Sequence, residues 1–390
     1  MQINRFTQSA GSAVAVVVVA LAVVGCARPR RNAIGDAKQI VVFADPQTWE
    51  YYGEALAAIF ERRVNTPREE LIFEVRHQDL ESWDFFRRYK HVVLCASLED
   101  GTPAAARIND LLTPEARESV RQQNGGIAIE RVDLFAPGQL FTILTGPTRE
   151  GLQSYLSSAS EALFESYDNH YSEHLLELIY RQRERYALED SLFDRFQFLV
   201  RVPYEYRMDD SRAEEGFVRM IKYLPQRFFF AWWAPQHELA ERGLEWTDRI
   251  EELGRLIDSD QDPSPDLITS LGRAAMDLRD AMGREFYDGD EVVRERTTAT
   301  VVKLGDRWAL RLYGVWANMQ TVVGGPLVAY CFLDPQTGRL WWLDGAVFAP
   351  ELQEKEIYLR QMDVMLNTFL SGPDARAYVE SLPGGARGRR

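Results

Sequence analysis

Lysine is scarce in this chain. Its 390 residues carry 45 basic side chains, yet only Lys38, Lys90, Lys222, Lys303 and Lys355 are lysines. Few amines are therefore available for Schiff-base or general-base chemistry. Cysteine is scarcer still, with Cys26, Cys95 and Cys331 alone. No Cys–His spacing fits a zinc site. Cys95 and Cys331 sit in apolar runs that read as strand interiors, so two buried free thiols are expected rather than a disulfide. The chain has no phosphate-cradling glycine loop, no dinucleotide fingerprint and no nucleophile elbow. Positive charge is in deficit, with a net charge of −14, which argues against a nucleic-acid partner. The apolar run Ala13–Val24 falls short of the roughly 20 residues that span a bilayer.

That run is nevertheless informative. A short polar segment with Arg5 precedes it, and Val23-Val24-Gly25-Cys26 closes it. A basic start, a short apolar stretch and a small residue at the cut describe a secretory signal. The closing residues resemble the lipobox of bacterial lipoproteins. The resemblance implies cleavage after Gly25, a covalent lipid on the Cys26 sulfur and acylation of its new amino group. Two or more chains anchor stably where one does not. Ala27 follows the cysteine rather than Asp, which implies the outer membrane, with the body on its periplasmic face; the inner membrane stays open. Residues 1–25 are thus read as signal peptide, and 26–37 as lipidated cysteine and tether. Arg28, Arg30 and Arg31 in the tether could meet anionic headgroups, but a solvated spacer is the simpler expectation.

The body reads as α+β, with mixed and antiparallel sheets, hairpins and packed helices in two lobes. The lobes are placed at 38–190 and 191–372, with a largely disordered tail over 373–390. Gln39–Ala44, Glu70–Val75 and His91–Ala96 are expected strands. Ile127–Phe135 and Leu140–Leu144 should pair through Pro137-Gly138. Helical spacing of apolar residues runs from about Arg149 to Tyr186. In the second half, strands are expected at Phe198–Val202, Phe217–Tyr223 and Arg227–Trp233. Hairpins are expected across Gly305-Asp306 and across Asp334–Gly338. A last helix should run from about Leu352 to Leu370. Parts recur in loosely similar order, so a duplication is open.

Few motifs carry chemistry. His170-Tyr171-Ser172-Glu173-His174 fits H-x-x-E-H, in which two histidines share a helix face and Glu173 would serve as base. The match is short and lacks a third ligand, so no metal is expected, and His170, Glu173 and His174 are the candidates if one binds. Asp258-x-Asp260-x-Asp262 opens like a calcium loop but fails at Pro263 and Thr269, so a solvated acidic loop is expected. Asp209-Asp210 and Glu214-Glu215 read as wet turns. Phe228–Trp233 and Trp341-Trp342 are apolar on both strand faces, which means burial between layers or one exposed partner face.

Three strings in the C-terminal third are distinctive. They are Arg311–Trp316, Val323–Tyr330 and Asp344–Pro350. They resemble an uncharacterised family of bacterial envelope lipoproteins containing a domain of unknown function, whose members show Gly-Leu-Trp, Gly-Gly-Pro-Phe and Gly-Phe-Val-Tyr-Ala-Pro. Arg279-Asp280, Tyr287-Asp288-Gly289 and the strand–Trp49–helix opening extend the resemblance over roughly residues 38–370. Val315, Leu327 and Ala346 depart from the pattern. The resemblance implies lipoprotein status and a shared fold, and brings no activity. Trp49, Arg279, Gly314, Trp316, Gly324, Gly325, Pro326, Gly345 and Pro350 are its signature residues, read as structural. Gly324 and Gly325 are expected to supply positive φ or a bulge, and Pro326 to begin a strand.

The leading reading is a membrane-anchored periplasmic lipoprotein that binds an envelope protein or a small ligand without catalysis. It needs no cofactor besides the lipid on Cys26, and no catalytic residue is assigned. The rival is a periplasmic enzyme, a metal-dependent hydrolase through His170, Glu173 and His174, or a binder of a small solute or lipid between lobes.

Overall fold

The computed structural model describes residues 30–382, except 124, 260, 262 and 263. Cys26, the signal segment and residues 383–390 lie outside the described residues, as do Asp260, Asp262 and Pro263 of the acidic loop. The described chain forms two compact units. One comprises residues 30–63 and 71–174, the other 64–70 and 175–382. The boundary therefore falls inside a helix at 174–175, not at the expected 190–191.

The first unit is built on short strands, of which QIVVF, HVVLC and LFTILT are mostly apolar. In chain order the elements are β1 (Gln39–Phe43) and α1 (Pro46–Phe60), then β2 (Arg63–Asn65) and β3 (Glu69–Leu71), which fall mostly in the 64–70 segment of the other unit, and β4 (Glu74–Gln78), α2 (Trp83–Phe86) and β5 (His91–Cys95). They continue with α3 (Pro103–Leu111), α4 (Pro114–Arg121), β6 (Ile127–Val132), β7 (Leu140–Thr145), α5 (Arg149–Ser158) and α6 (Ser160–Tyr180). The sheet order is β4-β1-β5-β7-β6. The first three pairings are parallel, and only β6–β7 is antiparallel. Parallel strands are covered on both faces, which is why QIVVF and HVVLC carry no polar alternation. Val41, Phe43, Val92 and Leu94 pack with Trp83, Ala105, Ile108 and Val120 of α2–α4. Tyr167 of α6 donates to Thr142 Oγ1 at 2.8 Å. The hairpin through Pro137-Gly138 forms as expected, with Gly138 at φ 78°. The helical stretch from Arg149 to Tyr186 breaks at Ala159.

Residues 33–37 are not the free spacer expected over 26–37. Ala33 N donates to Pro137 O, Ile34 bridges Tyr89, and Ala37 is buried. A chain segment with backbone hydrogen bonds and a buried side chain belongs to the fold.

The second unit is antiparallel. It contains α7 (Tyr186–Phe196), which sequence reading left unassigned, then β8 (Phe198–Leu199), β9 (Arg207–Asp209), β10 (Phe217–Tyr223), β11 (Gln226–Pro235), α8 (Asp248–Asp258) and α9 (Pro265–Phe286). It continues through β12 (Glu291–Val292), β13 (Thr298–Leu304), β14 (Arg307–Asn318), β15 (Val323–Asp334), β16 (Arg339–Phe348), α10 (Glu356–Leu366), β17 (Leu370–Ser371) and α11 (Gly372–Ser381). The main sheet runs β12-β14-β15-β16-β11-β10-β9, with β13 also on β14. Its strand order and pairing sense differ from those of the first sheet, so the fold is not a duplication. The tail expected over 373–390 begins instead as α11, with Ala375 and Val379 packed on Phe193 and Leu199.

Both faces of this sheet are buried, and β16 shows how. Leu340, Trp342 and Ala346 face a core with Leu253, Leu271, Ala275 and Met276 of α8 and α9. Trp341, Leu343 and Val347 face another, with Leu359, Met362 and Leu366 of α10. The Phe228–Trp233 run divides the same way, with Phe230 and Trp232 on one side and Phe229 and Ala231 on the other. These aromatics form interior layers, which removes the exposed partner face as their reason. Glu70, from the 64–70 excursion, accepts from Lys355 N and Glu356 N at 2.8 and 2.9 Å. It thus caps α10, whose own preceding residue supplies no side-chain cap.

Candidate functional site

The His170–His174 helix turn does not build a metal site. His170 Nδ1 lies 2.9 Å from Nε2 of His91, the first residue of β5. That ring nitrogen is engaged by protein. Burial, then the charge on His174, pulls His170 down to about 4. Burial, then His170, holds His91 well below its ordinary value. Both rings are therefore neutral near pH 7, and one donates a single N–H to the other. Glu173 is exposed. Among the described residues no group of three or more His, Cys, Asp or Glu is arranged to hold a metal ion.

The thiols are equally unsuited to nucleophilic work. Cys95 and Cys331 are free and buried, as expected. Burial pushes both far up, and Asp100 adds to the effect on Cys95. A thiol held protonated is a poor nucleophile. The acidic pairs are surface ion pairs, with Asp209 on Arg219, Asp210 on Arg195 and Glu215 on Arg212. Asp258 binds Lys303 and Trp308 Nε1.

The signature residues of the second unit form one packing assembly. Arg279 on α9 and Asp344 on β16 are both fully buried, with Nε to Oδ2 at 2.8 Å. Arg279 Nη1 donates to Asp290 O at 2.9 Å, and its guanidinium lies 4.4 Å from the Tyr287 ring centre. Phe230 stacks on the same ring at 4.1 Å. Asp280 accepts from Val292 N and pairs with Arg294, so both residues of Arg279-Asp280 tie α9 to the sheet. Arg279 Nη2, Asp344 Oδ1 and the Tyr287 hydroxyl have no protein partner.

The signature glycines serve close approach rather than positive φ. A Cβ on Gly325 would lie 1.8 Å from Val347 O, and one on Gly324 2.6 Å from Trp316 O. Neither is among the positive-φ glycines. A Cβ on Gly314 would lie 2.2 Å from Thr297 Oγ1, and one on Gly345 2.8 Å from Met362 Cβ. Pro326 is inside β15, which begins at Val323, rather than at its start. Pairing to β16 begins at Leu327, so the proline stands just outside that ladder. Trp316 is buried beside Phe348, and Pro350 is exposed after β16. Trp49, in the first unit, stacks on His77 at 4.5 Å.

Sequence reading missed the arrangement at the carboxyl ends of β1, β5 and β7. These adjacent parallel strands each lead into a helix, and α1, α3 and α5 begin there. In open parallel sheets, ligands bind in the crevice beyond the carboxyl ends of the strands. Asp45 accepts from Ala104 N at 3.0 Å, and Glu99 from Arg149 N at 3.0 Å. Asp100, buried, pairs with Arg149 Nε at 2.6 Å and accepts from Ser97 N at 3.3 Å. The hydroxyls of Thr48, Ser97 and Thr145 are buried beside them, and none has a protein partner. An unanswered buried hydroxyl costs about 1–3 kcal/mol. Three at one sheet edge leave room in the chemistry for a polar guest, water or a small ligand. The available sequence signal was the cap-rich residue set after each apolar strand: Asp45-Pro46, Ser97–Asp100 and Thr145–Thr148.

Residues 33–180 match a family described as a domain of unknown function (DUF8532), and residues 266–368 match another, also a domain of unknown function (DUF4837). The resemblance read over 38–370 thus resolves into two separate domains, with 181–265 in neither. The C-terminal strings lie within the second match and Trp49 within the first. No curated protein matches the chain. Among the described residues no helix is long and apolar enough to cross a membrane.

Proposed function

We propose that this chain is a lipid-anchored envelope protein, its body facing the periplasm of a Gram-negative cell, that acts by binding a small polar ligand rather than by catalysis. Gly25-Cys26, after the uncharged Ala13–Val24 run, supports the anchor. The binding half is carried by one observation: Thr48, Ser97 and Thr145 present three buried, unanswered hydroxyls at the carboxyl edge of a parallel sheet. The surrounding Asp45, Glu99 and Asp100 outnumber Arg149, so the favoured ligand donates hydrogen bonds. The thiol of Cys95, at the end of β5, is held protonated by burial, which supports a site without nucleophilic chemistry.

Two measurements test the two halves. Intact-mass analysis of protein from a Gram-negative host should show a chain beginning at Cys26 with a diacylglyceryl and an acyl group. The Cys26→Ser chain should carry no lipid. An unmodified wild-type chain retaining Met1 would overturn the anchor. For binding, protein purified without denaturation should release a small molecule, detected by mass spectrometry, when unfolded. A Ser97→Val/Thr145→Val chain of unchanged melting temperature should release none. If wild type releases none, and polyols and amino acids at millimolar concentration leave its melting temperature unchanged, the hydroxyls hold water alone and the binding half fails.

A further inference from the structure

The structure shows where the body receives its anchored end. Arg30 follows Cys26 by four positions, and a chain of that length reaches at most about 14 Å. Arg30 Nη1 donates to Asp133 O at 3.1 Å, in the connection between β6 and β7. Arg88 donates to Arg31 O and Asn32 O at 3.3 and 3.1 Å. Ile34 exchanges backbone hydrogen bonds with Arg88 and Lys90. Gln139 then joins this end of β7 to the loop before β5, donating to Arg87 O and Tyr89 O at 2.7 Å each. The surface is one stitched assembly, and it lies within a few residues of the lipidation site.

We infer that this amino edge of the first unit's sheet is a docking surface for anionic phospholipid headgroups. The inference rests on the anchored reading above. The first argument is apolar exposure. Among the described residues of this unit the exposed large apolar side chains are Ile34, Tyr51, Phe85 and Val132. All but Tyr51 sit in or beside this assembly. Phe85 is 63% exposed and Val132 64%, and the Phe85 ring is 6.4 Å from that of Tyr89, the residue Ile34 bridges. Apolar side chains amid basic ones are the composition of an interfacial membrane contact.

The second argument is charge. Arg30, Arg31, Arg87, Arg88, Lys90 and Arg131 cluster here against Asp36, Asp84 and Asp133. This is a basic surface on a chain of net charge −14. Moreover, Arg30 and Arg88 donate to backbone carbonyls, which carry no full negative charge, while Lys90 donates to Gly35 O and feels Asp36. Basic groups near an anionic leaflet are drawn to its surface. The lipid supplies the attachment; the patch fixes which face meets the bilayer.

The test uses the mature lipidated protein reconstituted in vesicles of phosphatidylethanolamine and phosphatidylglycerol, with hydrogen exchange read by mass spectrometry. Relative to detergent micelles, amides in 30–37, 84–90 and 130–138 should exchange severalfold more slowly. A Phe85→Ser/Val132→Ser chain, altered only at exposed positions, should lose that protection while staying vesicle-bound. Vesicles of phosphatidylcholine alone should give less protection. Equal exchange of these segments in micelles and anionic vesicles, with the lipid present by intact mass, would overturn the surface and leave the anchor standing. A chain without lipid on Cys26 would overturn both.

Discussion

Replacing Arg279 with methionine should destabilise the second unit by about 3–5 kcal/mol, the cost of leaving one member of a buried ion pair alone. Asp344 has no solvent exposure and no other protein partner on Oδ1. Without the guanidinium its carboxylate must either remain charged in a dry core or take up a proton. Removing both charges is a different experiment. Arg279→Met with Asp344→Leu fills the space with apolar groups and deletes the desolvation penalty of each ion. Such replacements are often neutral or stabilising. The double variant should therefore recover most of the loss, measured by urea unfolding followed through tryptophan fluorescence. A double variant as unstable as the single one would mean that Arg279 matters through Asp290 O and the Tyr287 ring rather than through its partner charge.

Gly325→Ala should cost about 3 kcal/mol or more, at the upper end of what an overpacked site loses. The added methyl would sit 1.8 Å from Val347 O. That atom is backbone within β16, so no side-chain rotation relieves the clash. β15 and β16 would have to separate where the sheet is buried on both faces. Gly101→Ala provides the control, because a Cβ there meets nothing within 4 Å and the backbone is not left-handed. It should leave the urea midpoint unchanged. If Gly325→Ala also leaves it unchanged, the close approach is not what fixes glycine at this position.

Much of this was legible in the residues, and the failures have physical causes. The hairpins across Gly305-Asp306 and Asp334–Gly338 were readable because two-residue and short glycine turns announce themselves. The free buried thiols followed from apolar flanks. The parallel character of the first sheet was obscured, because a short continuous apolar run gives no clue to its partner's direction. Helix α7 was missed because its apolar face, with Leu192, Phe193 and Phe196, was absorbed into the expected start of the second lobe. The Gly324-Gly325 pair read as a source of positive φ or a bulge and proved to be a place where two strands and an indole crowd together. The Arg279–Asp344 partnership spans 65 residues, and nothing local specifies it. His170 matched a metal motif because five letters do not reveal that a histidine on a distant strand already holds one ring nitrogen.

The parallel run of β1, β5 and β7 has a consequence for any tethered form of this protein. An antiparallel meander returns each strand to its starting edge, so near and far ends share loops. Here every strand of the trio starts at the same edge and finishes at the other, a span of about 17 Å for five residues. Residues 33–37 dock at the starts; the unanswered hydroxyls lie at the finishes. No hinge within the trio can fold one onto the other. In a form anchored through Cys26, the hydroxyl-bearing edge would lie a strand's length beyond the edge that receives residues 33–37.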